Sequence, residues 1–194
     1  MKPREGEPSA DLGQFVENGF NPIIRAVRKI EKPIVCAVNG TAAGAGANLA
    51  LACDIVLASK KAFFLQAFAA IGLIPDAGGT FFLPRLVGLP RATAAAFLGE
   101  RVTAEQALAW GMIYKVCEPE ALTEEAGALA ASLATKATRG LGLTKRALNR
   151  SFTNDLDRQL DLERDLQSEA GRMADYQEGV RAFLEKREPK YRGE

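Results

Sequence analysis

Histidine is absent from the 194-residue sequence, and its absence excludes several kinds of chemistry at once. Neither a Ser-His-Asp nor a Cys-His arrangement can be assembled, and no histidine-ligated zinc site can be built. Proton transfer must fall to carboxylates, lysine, tyrosine or cysteine. Cysteine is scarce as well: Cys36, Cys53 and Cys117 lie far apart and form no metal-type pair, so no metal site is expected. Two of them sit in apolar runs, where a buried free thiol is the expected state. No excess of charge of one sign exists either. The net charge of +1 gives no electrostatic case for nucleic acid or an anionic membrane as partner. Apolar runs of membrane length are missing, because Asn48 and Asp54 interrupt the best candidate. The opening MKPREGEPSADLG lacks the apolar centre of a secretory signal, so a cytoplasmic protein is expected.

What is present suits one substantial domain, with 47% hydrophobic and 25% charged residues. Chemistry concentrates between Lys32 and Thr80. Pro33 to Val38 reads as a buried strand closed by the turn pair Asn39-Gly40. Gly44, Ala45 and Gly46 leave the backbone uncovered just before a helical run containing Leu49 and Leu51. Small residues there let a ligand oxygen approach main-chain N–H groups at a helix N-terminus, which is what an oxyanion hole requires. The Gly-Ala-Gly turn is no phosphate-cradling Walker loop, since GAGANLA lacks the Lys-Ser/Thr pair. Further on, Ile71-Gly-Leu-Ile-Pro-Asp76-Ala-Gly-Gly-Thr80 sets one carboxylate among aliphatic side chains. An acid in apolar surroundings is held more basic and can work near neutral pH.

The rest of the chain alternates strand and helix. A helix from Asp11 has an expected interruption at Asn21-Pro22. Strands are expected at Asp54 to Ala58, near Ala62 to Leu65 and at Met112 to Cys117. Helices are expected at Gly79 to Val87, Arg91 to Leu98, from the capping box at Thr103 to Trp110, and at Leu122 to Ala134. Two more follow: Leu143 to Phe152, then a long run from Asp155 toward Leu184 with a break near Gly171. This order argues for a parallel, helix-flanked α/β core followed by a helical tail.

In the segments KPIVCAVNGTAAGAGANLALACDIVLAS, GLIPDAGGTFFLPRLVG, LGERVTAEQALAWGMIYKV and YQEGVRAFLEKREPKYRG the chain resembles the enoyl-CoA hydratase/isomerase (crotonase) superfamily. IPDAGGT, GLGLTKRALN and LDLERDLQSEAGR are similar to its ring-epoxide isomerases of phenylacetate breakdown. The resemblance implies an α/β fold: a crotonase-like ββα spiral core over residues 1–135, then a C-terminal helical region over 136–194 that builds homotrimers or hexamers. It further implies that the N-terminal part of the spiral, with a Phe-x-Ala-Gly turn supplying a second oxyanion donor, is missing from this chain. The substrate partner would be an acyl-CoA thioester, with coenzyme A part of the substrate and no separate cofactor.

Site residues follow by the same resemblance. Ala45 matches the oxyanion donor. Asp76 matches the acid–base carboxylate of the isomerases. Gly44, Asn48, Phe68, Leu73 and Ile74 would line the substrate pocket. Phe183 and Lys186 would contact coenzyme A, commonly of a neighbouring subunit. The positions of the two hydratase glutamates hold Asn48 and Phe68, which cannot transfer a proton as carboxylates do. The expected activity is therefore relocation of a proton and double bond, or opening of a ring epoxide, through an enolate. A non-catalytic acyl-CoA-binding or assembly module is the alternative, and a hydratase the third reading. Asp54 and Arg85 are expected to be structural, Arg85 as an ion-pair partner.

Overall fold

The computed structural model describes residues 11–194. The polar stretch Met1 to Ala10, expected as loop, lies outside the described residues. Helices α1 (Leu12–Asn18) and α2 (Phe20–Lys29) lead into β1 (Val35–Val38), β2 (Thr41–Ala43) and α3 (Ala45–Ala52). Strands β3 (Ile55–Ser59) and β4 (Phe63–Leu65) follow, then a 3-10 turn at Ala69–Ile71 and helices α4 (Gly79–Val87) and α5 (Leu89–Leu98). Next come β5 (Val102–Thr103), α6 (Ala104–Ala109), β6 (Lys115–Cys117) and α7 (Leu122–Ala134). The chain closes with α8 (Thr138–Ser151), α9 (Leu156–Ala170) and α10 (Ala174–Glu185).

Successive strands go to two different sheets. In one, β3 pairs in parallel with β1, Val35 opposite Ile55, and with β6, Leu57 opposite Lys115. In the other, β4 is parallel to β2, Thr41 opposite Phe63, and antiparallel to β5. Strand to one sheet, strand to the other, then helix: this is the expected ββα spiral, with its C-terminal helical region. Central β3 is buried from Val56 to Ser59, which is why its sequence runs apolar instead of alternating. Phe64 of β4 is buried in one cluster with Ala47, Leu51, Leu83 and Val102, and both sheets and helices α3 to α6 share that core. Burying each large side chain there contributes about 1.5–3 kcal/mol.

Several boundaries differ from the sequence reading, for local reasons. The α1–α2 break falls at Gly19, because Pro22 sits in the first turn of α2, where its missing N–H breaks no helical bond. β2 went unseen, since Thr41–Ala43 is too short and small to show alternation. α8 begins at Thr138, not Leu143, and runs through Gly140 and Gly142. A Cβ on Gly142 would stand 2.5 Å from the Glu31 carbonyl oxygen, so that glycine serves close packing and does not end the helix. No helix among the described residues is long and apolar enough to cross a membrane.

Candidate active site

The fold brings the glycine turn and the acid loop together. Gly44 adopts φ 53°, ψ −128°, a conformation open to glycine and strained for other residues, and its N–H donates to Leu65 O at 2.8 Å. That bond ties the start of α3 to the end of β4. Ala45 is the first residue of α3, so its N–H has no intrahelical acceptor, and no side chain caps this terminus. The positive end of the helix dipole points out from the same place. Phe68 is buried and walls the turn: a Cβ on Gly44 would lie 3.6 Å from its ring.

The acid loop is a tight turn. Gly79 N–H donates to Asp76 O at 2.8 Å across Ala77 (φ 47°) and Gly78 (φ 79°), both left-handed. Ala77 is buried in a conformation that costs a non-glycine residue free energy. Among the described residues Asp76 Oδ1 is buried with no hydrogen-bond partner. Burial raises its pKa above the ordinary aspartate value, opposed in small part by its own backbone N–H. A raised carboxylate pKa is what a base needs to hold and release protons near neutrality.

Asn48 lies behind this constellation and not on an open wall. It is 0% exposed; its Nδ2 donates to Asp76 O at 2.9 Å, and its Oδ1 accepts from Gln66 Nε2 at 2.8 Å. The amide of Asn48, expected among the pocket-lining groups, is thus engaged by protein groups. Gln66 was missed by sequence reasoning; its one signal was a polar residue inside the apolar run FFLQAF. Leu73 and Ile74, also expected in the pocket, precede Asp76 in the acid loop with their side chains exposed.

Phe183 lies on α10 and Lys186 at its end. Phe183 is 83% exposed on α10 and edges a cavity of about 430 Å³ whose other walls include Gly140, Met173 and Tyr191, with no residue from the acid loop. Lys186 caps α10 in left-handed conformation and is exposed. Asp54 is structural, as expected: its carboxylate takes Ile34 N–H at 2.8 Å, Lys145 Nζ at 2.7 Å and Arg28 at 3.0 Å. Arg85 departs from expectation. Among the described residues it forms no ion pair; it stacks over Phe81, 3.7 Å from the ring centre, and donates to Phe81 O. Among the described residues no cluster of three or more metal-ligating side chains occurs.

Against known proteins, residues 5–194 match a family model described as enoyl-CoA hydratase/isomerase. Over 186 residues the chain is 56% identical to a 1,2-epoxyphenylacetyl-CoA isomerase of Escherichia coli K12, which covers 96% of this chain and 71% of the relative. It is 42% identical over 173 residues to a trans-2-decenoyl-[acyl-carrier-protein] isomerase of Streptococcus mutans, covering 89% and 66% respectively. A crystal structure of an enoyl-CoA hydratase from Bacillus anthracis superposes with a TM-score of 0.92 at 32% identity, covering 97% of this chain and 73% of that one.

Proposed function

Because the chain belongs to the enoyl-CoA hydratase/isomerase family, we propose that it is an isomerase of enoyl- or ring-acyl-CoA thioesters with Asp76 as its acid–base group. Asp76 takes a proton from carbon adjacent to, or conjugated with, the thioester. The electron pair moves into the carbonyl, and the resulting oxyanion accepts a hydrogen bond from Ala45 N–H at the head of α3. The same carboxyl then returns the proton at a different carbon, so the double bond moves and nothing is added. Where the acyl group carries a ring epoxide, the same pair would assist C–O cleavage.

The observation that carries this reading is the Asp76 carboxyl itself, half-buried and raised in pKa, on a loop tied through Asn48 to the helix that begins at Ala45. Asn48 and Phe68 stand where addition of water would want two carboxylates. Both the Escherichia coli and the Streptococcus mutans relatives are isomerases by name, which supports the reading. The ring-acyl substrate class rests on the first of them. We further propose that the chain assembles as a trimer or hexamer in which Phe183 and Lys186 contact coenzyme A.

Replacing the base tests the assignment. Asp76→Asn keeps shape and polarity but cannot accept the proton, so turnover of an enoyl-CoA should fall by about 10²–10⁴-fold. Calorimetric binding of the saturated acyl-CoA should be nearly unchanged. Undiminished turnover would move the base elsewhere.

A further inference from the structure

The buried amide of Asn48 joins the two halves of the candidate site. It stands one turn after Ala45 on α3, and its Nδ2 reaches across 28 residues of sequence to the Asp76 carbonyl oxygen. Gln66 fixes the other end of the amide from the segment after β4, one residue beyond the Leu65 carbonyl that holds Gly44 N–H. The oxyanion helix, the end of β4 and the acid loop are thus tied at one point. We propose that Asn48, oriented by Gln66, is the residue that positions Asp76 for proton transfer relative to the Ala45 N–H. This rests on the assignment of Asp76 as the base.

Three observations support positioning over plain packing. First, Asp76 O already accepts Gly79 N–H at 2.8 Å, so the loop's acceptor would be satisfied without Asn48. Second, the pair is costly for a core. Asn48 and Gln66 are both buried, and among the described residues Gln66 Oε1 has no partner. Two apolar residues of the same shape would avoid that desolvation. Third, the clamp lies at the head of a strained turn, with Ala77 at φ 47°, and such turns persist where their surroundings over-determine them. Gly79 shows how closely the parts fit: a Cβ there would stand 2.3 Å from Asn48 Nδ2. Asn48 has no proton to exchange near neutral pH. Its effect reaches the substrate through the place and dryness of the Asp76 carboxyl.

The test compares wild type, Asn48→Ala, Gln66→Leu and Asp76→Asn in the full chain. Two readouts are taken: kcat and KM on an enoyl-CoA, and the Asp76 titration midpoint from carboxyl-carbon NMR. A displacement of ~1 Å can cost about 10²-fold in rate, so Asn48→Ala should lower kcat by about 10–100-fold with KM changed less than about threefold. Its Asp76 midpoint should fall toward the ordinary ~3.9 as water reaches the carboxyl. Gln66→Leu, which leaves Asn48 in place but unoriented, should move both quantities the same way by less. It keeps the question answerable if Asn48→Ala fails to fold. A role in stability alone would lower the melting temperature and leave the midpoint where it was, and that result overturns the proposal. The titration needs no turnover. If Asp76→Asn loses activity while both amide variants keep wild-type kcat and midpoint, the base stands and the positioning role falls. If Asp76→Asn turns over normally, the base assignment fails and the positioning role with it.

Discussion

Burying a carboxylate opposes folding whenever the group is ionised, and Asp76 adds to this the left-handed backbone of Ala77 next to it. The sign of the pH dependence follows. Its folded pKa lies above the unfolded value of ~3.9, so below that pH the group is protonated in both states and contributes nothing. As pH rises from that value toward the folded pKa, the unfolded chain ionises while the folded one still holds its proton, so stability falls, and it levels off above the folded pKa. Asp76→Asn should therefore raise the melting temperature at neutral pH, with the gain vanishing below about pH 3.9. A gain equally large in acid would place its origin outside ionisation. Asp76 and Ala45 stood out in sequence as candidates because each sits in a short local string that resembles the family's. The clamp made by Asn48 did not stand out. Its partners Gln66 and Asp76 lie 18 and 28 residues away, and only the fold turns a helix asparagine into a clamp.

At the scale of elements, a buried cation on α8 helps tie that helix to the core. Lys145 is 7% exposed and its Nζ meets Asp54 at 2.7 Å, Val27 O at 2.8 Å and Lys32 O at 3.2 Å. Lys145→Ala would strip Asp54 of one counter-ion and leave two carbonyls short. Breaking a buried pair typically costs about 3–5 kcal/mol, and Arg28 and Ile34 N–H remain on Asp54, so the lower end is expected in chemical denaturation. The helices and strands β1, β3, β4 and β6 were readable from apolar runs and periodicity, whereas β2 was not. Glycines misled at α8 because sequence does not distinguish a breaker from a contact. After α10 the chain folds back through two carboxylates. Glu178 accepts Arg187 Nη1 at 2.6 Å and Lys190 N–H at 2.9 Å, which hold its pKa down to about 2. Asp175 takes the N–H groups of Arg192 and Gly193. For a depressed carboxylate the stabilisation is complete above the unfolded value of ~4.3 and is lost as pH falls through the folded value. Protection of the Lys190 amide, measured against its intrinsic exchange rate at each pH, should be lost between about pH 4 and pH 2. In Glu178→Gln it should be low throughout.

For the whole molecule, the unresolved energetic question is the apolar stripe on α10. Tyr176, Val180, Phe183 and Leu184 recur at helical spacing on one face, and all four are exposed, Leu184 at 74%. Leu156 and Leu160 of α9 are exposed as well, whereas Leu166 is buried, so only part of the tail's apolar surface is covered within one chain. Contiguous apolar surface of this kind marks an interface in a stable protein. Assembly as a trimer or hexamer would bury it and set Phe183 and Lys186 against a neighbour's substrate. Sedimentation of the wild-type chain at micromolar concentration should then show a multimer. The double variant Phe183→Asp/Leu184→Asp should dissociate it, since a charge in a dehydrated interface is costly unless paired. Because Phe183 and Lys186 are proposed to hold coenzyme A and not the reacting atoms, dissociation should weaken thioester binding. The Asp76 titration midpoint should stay unchanged in that variant, as no residue of α10 touches the acid loop's hydrogen bonds. A well-folded wild-type monomer would leave the stripe without this explanation. A dissociated variant with undiminished thioester binding would remove coenzyme A contact from Phe183.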